Sequence, residues 1–113
     1  MYEYRAKLLR VVDGDTVHLE IDLGLETLRK INCRVYGINA PEMNTPEGKA
    51  AKIYLAGLLA PDADNLLVRT FKDRTEKYGR YLVRIETTHG SAAAAMVAAG
   101  HAVRFMVKDA EDI

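Results

Sequence analysis

Two segments of alternating apolar and polar residues, joined by a short acidic turn, constrain the fold of this chain more than any other feature. The first segment is Tyr2–Leu8 and the second is Val17–Ile21. Strict alternation is typical of a β-strand with one buried face. Asp13-Gly14 is a common turn signal. The chain is therefore predicted to begin with a β-hairpin that holds Asp13 and Asp15 at its tip.

The rest of the chain continues with three more predicted strands and two predicted helices. The first helix begins at the capping hydroxyl of Thr45, followed by Pro46, and the second begins at Ser91 and ends before Gly100. The order β-β-β-α-β-β-α predicts a mainly β (α+β) fold, an OB-type barrel of five strands with two packed helices. The remaining predicted elements are a strand at 27–37, a helix ending at Ala60-Pro61, a strand at 66–71, a charged loop at 72–79, a strand at 80–86 and a helix at 92–99.

Length and composition favour one domain over residues 1–113, with a frayed acidic tail from Lys108 to Ile113. With 113 residues and 49% hydrophobic content, the chain can bury a core. Lysine plus arginine number 16 and the acidic residues also number 16, so an anion site must come from local clustering. No apolar run suits a signal peptide or a membrane span. A monomer in the cytoplasm is expected, and a trimmed secreted form would look the same.

Cys33 and the three histidines are predicted to be structural. Cys33 is the only cysteine and lies in the apolar phase of the third strand, which predicts a buried thiol. His18, His89 and His101 have no metal-ligand spacing, so surface or rim positions are expected.

Three polar segments could carry chemistry, and each also has a simpler interpretation. Asp15 is either a solvated turn residue or a ligand for a hard cation. Arg34 precedes the rigid Pro41-Glu42 pair, which indicates either a positioned acid or a surface ion pair between Arg34 and Glu42. The segment from Lys72 to Arg80 contains four basic residues, which suits an anion-binding loop or a solvated turn.

Together these segments contain the groups that phosphodiester hydrolysis requires. The reaction needs a base to activate water and positive charge around the phosphorus. Arginine binds phosphate in a bidentate manner, and a carboxylate-bound cation adds further stabilisation. Glu42 could serve the water, Arg34 and Arg80 the phosphate, and Asp15 the cation.

The chain resembles the staphylococcal nuclease (thermonuclease) family from about Val11 to Val107. The shared pattern is Asp-Gly-Asp-Thr, then Arg with Gly-Ile-x-Ala-Pro-Glu, then Lys-Tyr-Gly-Arg, then a helix ending in Ala-Gly-His-Ala. The resemblance implies an OB-type barrel and calcium-dependent cleavage of DNA and RNA to products with 3′-phosphates. It also implies a role for each matching residue: catalysis for Arg34, Glu42 and Arg80, calcium binding for Asp15, Asn39 and the backbone carbonyl of Ala40, and nucleotide binding for Lys77 and Tyr78.

Two departures from the family pattern leave a second hypothesis open. Asn39 stands where the family usually has an aspartate, so the calcium site has one charge fewer. Phe105, Met106 and Lys108 stand where the best-known members have tyrosines close to the base. The alternative to a nuclease is therefore a catalytically weak or inactive OB-type module that binds nucleic acid or a protein partner.

Overall fold

The computed structural model of this chain describes residues 2–75, 79–107 and 113, with the backbone alone described at 72–75. The expected order of strands and helices is confirmed, with three short strands added. The described elements are β1 (Tyr2–Asp13), β2 (Thr16–Asp22), β3 (Leu28–Val35), β4 (Ile38–Asn39), α1 (Pro46–Leu59), β5 (Leu66–Thr75), β6 (Tyr81–Thr87), β7 (Gly90–Ser91), α2 (Ala92–Ala98) and β8 (Val103–Arg104).

Five strands close into a mixed barrel, as an OB-type α+β fold requires. Strands β3, β2, β1, β5 and β6 are neighbours in that order, and each of these pairs is antiparallel. The barrel closes where β3 runs parallel to β6, with Cys33 opposite Tyr81 and Arg34 opposite Leu82. This closure brings Arg34 close to the start of β6, which directly follows Arg80.

The third strand is shorter than the sequence predicts, and the fourth predicted strand is longer. β3 ends at Val35 because Gly37 turns the chain at a φ of 86°. The chain then forms β4, which pairs with β8 near the end of the described region. The loop expected at 72–79 is also wrong in part, because β5 continues to Thr75.

The two helices pack on the barrel and on each other. Thr45 caps α1 by accepting a hydrogen bond from the Gly48 amide at 3.0 Å, and Pro46 occupies the first turn. Ser91 caps α2 in the same way through the Ala94 amide. α1 packs on β1, and α2 packs on β6 and α1. Neither helix, nor any other within the described ranges, is long and apolar enough to cross a membrane.

The barrel interior is apolar and includes Cys33, which is buried as predicted. Burial raises the pKa of the Cys33 thiol to about 12. The tail expected to be frayed lies outside the described residues except for Ile113, which is buried beside Gly37. His89 is exposed, and His18 and His101 are half-buried, consistent with rim positions.

Gly14 is required for close packing rather than for a left-handed turn. The two residues between β1 and β2 are Gly14 and Asp15, and Gly14 is not in the left-handed region. A Cβ atom at Gly14 would lie 2.7 Å from the Cβ of Ala40 and 2.8 Å from the Cβ of Ala51. The hairpin tip is therefore pressed against both the β4 exit and the first helix.

Gly14→Ala is expected to lower the free energy of unfolding by about 1–3 kcal/mol, because the added methyl group overpacks this contact. Gly57→Ala is the matched control, since Gly57 lies in α1 and a Cβ atom there meets nothing within 4 Å. The control should stabilise the protein by about 0.5–1 kcal/mol. Urea denaturation of both variants measures the difference. Equal effects of the two substitutions would contradict the packing role of Gly14.

Candidate functional site

A cleft of about 690 Å³ is lined by the hairpin tip, the end of β3, and β4 with the segment that follows it. The residue before β6 and two residues after β8 complete the lining. The cleft contains acidic, basic and amide side chains from parts of the chain that are distant in sequence. Its lining residues are Asp13, Asp15, Arg34, Asn39, Ala40, Pro41, Glu42, Met43, Arg80, Phe105 and Met106.

Asp15 is a buried carboxylate with specific partners. The residue is only 7% exposed. Its Oδ2 accepts hydrogen bonds from the Arg34 guanidinium at 2.9 Å and from the Ala40 amide at 2.9 Å. Its Oδ1 accepts a hydrogen bond from the Thr16 hydroxyl at 3.1 Å. The interpretation of Asp15 as a solvated turn residue is therefore wrong.

Arg34 is held by contacts on several sides of its guanidinium group. Besides the pair with Asp15, its Nη2 donates to the Ile38 carbonyl at 2.9 Å and lies 3.4 Å from Oδ1 of Asn39. The Phe105 ring lies against the guanidinium, with 5.5 Å between the ring centroid and Cζ. Within the described ranges, the ion pair of Arg34 is with Asp15 and not with Glu42, so the predicted surface pair with Glu42 is wrong.

A hydroxyl group connects the second arginine to the buried acid. Nη1 of Arg80 donates to Oγ1 of Thr16 at 2.9 Å, and the Thr16 hydroxyl donates to Asp15. Thr16 is 4% exposed and begins β2. Arg80 and Asp15 are thereby joined through one buried oxygen atom.

Asp13 and Asp15 affect each other's ionisation. Oδ1 of Asp13 accepts the Asp15 amide at 3.0 Å. Burial raises the pKa of Asp13, and the neighbouring Asp15 raises it further. Burial opposes ionisation of Asp15 as well, but hydrogen bonds from the Asp13 carboxyl and the Ala40 amide, together with Arg34, lower its pKa overall. Asp15 is thus ionised in a region where a second negative charge is less favourable.

The backbone at Glu42 is fixed by the start of α1, while its side chain remains exposed to the cleft. The Glu42 carbonyl accepts hydrogen bonds from the Thr45 amide at 3.1 Å and from the Thr45 hydroxyl at 2.6 Å. Gly48 lies directly against the same carbonyl, where a Cβ atom would collide with it. Glu42 therefore lies on a turn held by backbone and side-chain hydrogen bonds, and the turn itself is as the sequence predicts.

The structure brings together most of the site residues that the sequence predicts. Ala40 donates its amide to Asp15, and the role of its carbonyl as a ligand stays a prediction. Lys77 and Tyr78 lie outside the described residues. The predicted site residues that line the cleft are Asp15, Arg34, Asn39, Ala40, Glu42 and Arg80.

Sequence reasoning gave no site role to Asp13 and Thr16. Both belong to the Asp-Gly-Asp-Thr motif, and their side chains contact Asp15 or Arg80 in the site. The signal that could have identified Thr16 is its position at the start of a strand, directly after the candidate ligand Asp15.

The cleft offers two kinds of chemistry. Two guanidinium groups from neighbouring strands suit an anion with several oxygen atoms, such as a phosphate group. Oxygen donors from Asp13, Asp15 and Asn39 suit a hard divalent cation. Within the described ranges, no three carboxylate, imidazole or thiol side chains converge.

The buried ion pair should contribute far more to stability than an exposed pair of similar length. Arg34→Met is expected to lower the free energy of unfolding by about 3 kcal/mol, because Asp15 loses its buried partner. The control is Arg69→Met, whose pair with Glu3 spans 3.2 Å between side chains that are 38% and 56% exposed. The control should lose less than about 1 kcal/mol. Chemical denaturation compares them, and equal losses would contradict this interpretation of Arg34.

Comparison with characterised proteins identifies one similar sequence. The chain is 36% identical over 101 residues to Endonuclease YhcR of Bacillus subtilis (strain 168), an alignment that covers 79% of this chain. The chain spans about 8% of the length of that relative. No family model matches the chain. The chain is therefore similar to one segment of a much longer endonuclease.

Proposed function

We propose that this chain is a calcium-dependent nuclease of the thermonuclease type that hydrolyses phosphodiester bonds of DNA or RNA. The observation that carries the proposal is the convergence of Arg34, Glu42 and Arg80 on one cleft beside the buried Asp15. A cleft with two arginines and an exposed, rigidly mounted carboxylate contains the groups that attack of water on a phosphodiester needs.

Glu42 is the proposed general base. Its backbone is held by hydrogen bonds from Thr45 at the α1 cap, and its exposed side chain lines the cleft. In the proposed reaction it takes a proton from water while the water oxygen forms a new bond to phosphorus. The bond from phosphorus to the leaving sugar oxygen breaks, and that oxygen takes up a proton.

Arg34 and Arg80 are the proposed stabilisers of the charge that develops on the phosphate oxygens. They come from β3 and from the residue before β6, which are neighbours at the barrel closure. The contact with Asp15 holds Arg34 before substrate arrives. Preorganised donors are effective because they need little rearrangement in the transition state.

The oxygen donors at the hairpin tip fit a calcium ion. Asp15, Asn39 and the Ala40 carbonyl are the proposed ligands, and Asp13 lies beside them with a pKa that burial and the neighbouring Asp15 raise. A bound calcium ion supplies positive charge near the reacting phosphate. Asp15 is the only proposed ligand whose side chain carries a full charge, which should make the site weaker than one with a second aspartate.

Similarity to a segment of a protein named an endonuclease supports nucleic acid as the substrate class. The alignment covers most of this chain, so the similarity extends across the barrel rather than over one motif. DNA and RNA are both proposed as substrates.

A second candidate function is a nucleic-acid-binding module without cleavage. It is favoured by the Arg34 guanidinium, which contacts Asp15 and approaches Asn39, two of the proposed calcium ligands. A cation already associated with those oxygens would oppose metal binding. The two candidates differ in whether calcium binds and in whether bound substrate is cut.

The nuclease proposal predicts calcium-dependent digestion of denatured DNA or RNA that stops when a chelator is added. Glu42→Gln should lower kcat about 10²–10⁴-fold, because it removes the base. Arg80→Ala should lower kcat about 10²–10³-fold, because it removes a transition-state donor. The assay is a gel or fluorescence measurement of strand cleavage over a calcium titration.

Glu47→Gln is the matched control for the Glu42 variant. Glu47 is an exposed acid in the first turn of α1 and does not line the cleft. It should retain wild-type activity. Binding of the substrate without cleavage at every calcium concentration would overturn the nuclease proposal and support the binding module.

Asn39→Asp should lower the calcium concentration needed for half-maximal activity by several-fold, because it adds a negative charge to the proposed calcium site. Asn44→Asp is the control, since Asn44 is exposed on the same connection and does not line the cleft. Calorimetric titration with calcium checks binding separately from cleavage. An unchanged calcium curve for Asn39→Asp would count against Asn39 as a ligand.

A further inference from the structure

Thr16 occupies a position that neither the predicted site nor the proposed chemistry uses. It is 4% exposed, and it lies opposite Arg34 in the β2–β3 ladder. Its hydroxyl contacts Asp15 on one side and Arg80 on the other, at 3.1 and 2.9 Å. This buried hydroxyl group therefore connects an acid with an arginine from a distant part of the chain.

The direction of both hydrogen bonds is fixed by the chemistry of the three groups. A guanidinium group can only donate, and an ionised carboxylate can only accept. The Thr16 hydroxyl must therefore accept from Arg80 and donate its single proton to Asp15. The result is a directed chain from Arg80 through Thr16 to Asp15, and each bond polarises the next.

We propose that Thr16 is a positioning residue that orients the Arg80 guanidinium in the cleft and links that orientation to Asp15. This inference rests on the proposed nuclease function for its kinetic consequences, but its structural part concerns Arg80 alone. Threonine is suited to the task because its β-branched side chain is stiff about χ1. The oxygen atom that receives the arginine is therefore held in one place by the strand.

The proposal explains why the acidic turn is followed directly by a hydroxyl residue. Thr16 is the first residue of β2 and lies beside the Asp15 carboxylate. It pairs with Arg34 of β3, and β3 in turn pairs with β6. Arg80 precedes β6 by one residue, so its long side chain reaches across β3 to Thr16. An oxygen atom that holds the arginine in this way determines the orientation in which the guanidinium group approaches a phosphate group.

The test compares Thr16→Val, which removes the hydroxyl at nearly constant shape, with Thr16→Ser, which keeps it. Thr16→Val should lower kcat about tenfold or more with KM little changed, because a donor to the transition state is misplaced. Thr16→Ser should recover most of that loss. Loss of activity in both variants to the same extent would overturn the proposal.

A double-mutant cycle separates positioning of Arg80 from other effects of the substitution. If Thr16 acts through Arg80, Thr16→Val should cause no further loss of kcat in an Arg80→Ala background. Independent, multiplicative losses would show that Thr16 does not act through Arg80 and would overturn the proposal.

A third measurement does not depend on catalysis. The side-chain Nε–Hε signal of Arg80 in an NMR spectrum of the calcium-free protein should shift and broaden in Thr16→Val and stay near its wild-type position in Thr16→Ser. An unchanged signal in Thr16→Val would overturn the proposal. A shifted signal in a protein that fails to cleave nucleic acid would support the positioning of Arg80 while the nuclease function failed.

Discussion

The burial of the Asp15 carboxylate is the constraint on which the candidate site depends. An ionised group removed from water is unfavourable unless partners replace the solvent. Here the partners are the Arg34 guanidinium, the Ala40 amide and the Thr16 hydroxyl, and each comes from a different element. The carboxylate therefore fixes the relative positions of the β1–β2 turn, the third strand and the connection that follows β4.

Close packing makes this burial feasible. Gly14 brings the hairpin tip against Ala40 and Ala51, and Gly48 brings α1 against the Glu42 carbonyl. Without these approaches the turn would stand away from the helix, and Asp15 would be hydrated rather than paired. The buried contacts of Asp15 therefore depend on the close packing at Gly14 and Gly48.

The sequence was sufficient to predict the order of the main elements and most residues around the cleft. Two kinds of local signal were sufficient for this: the alternation along β1 and β2, and the capping residues Thr45 and Ser91. Both depend on residues that are close together in the sequence. The turn at Gly14 was predicted, but its packing against Ala40 and Ala51 was not, because an Asp-Gly pair resembles a turn signal whether or not the glycine also makes a tertiary contact. The pairing of β4 with β8 was not predicted, because two-residue strands carry no periodicity.

The candidate site shows the same division between local and tertiary information. The arginines and Glu42 could be identified from residue type and family resemblance, whereas the partner of each could not. Arg34 pairs with Asp15 rather than Glu42 because the β2–β3 register brings it beside the hairpin tip. Pairings between distant segments depend on how the barrel closes, and local sequence patterns do not contain that information.

The parallel contact between β3 and β6 has a consequence for how the cleft comes into existence during folding. It joins Cys33 to Tyr81 across a long stretch of chain, and such contacts form late because loop closure is entropically unfavourable. Arg34 and Arg80 sit beside this seam, on strands that meet only when the barrel closes. A chain that is folded everywhere except at this seam would have both arginines but no shared cleft, so formation of the cleft and completion of the barrel are a single event.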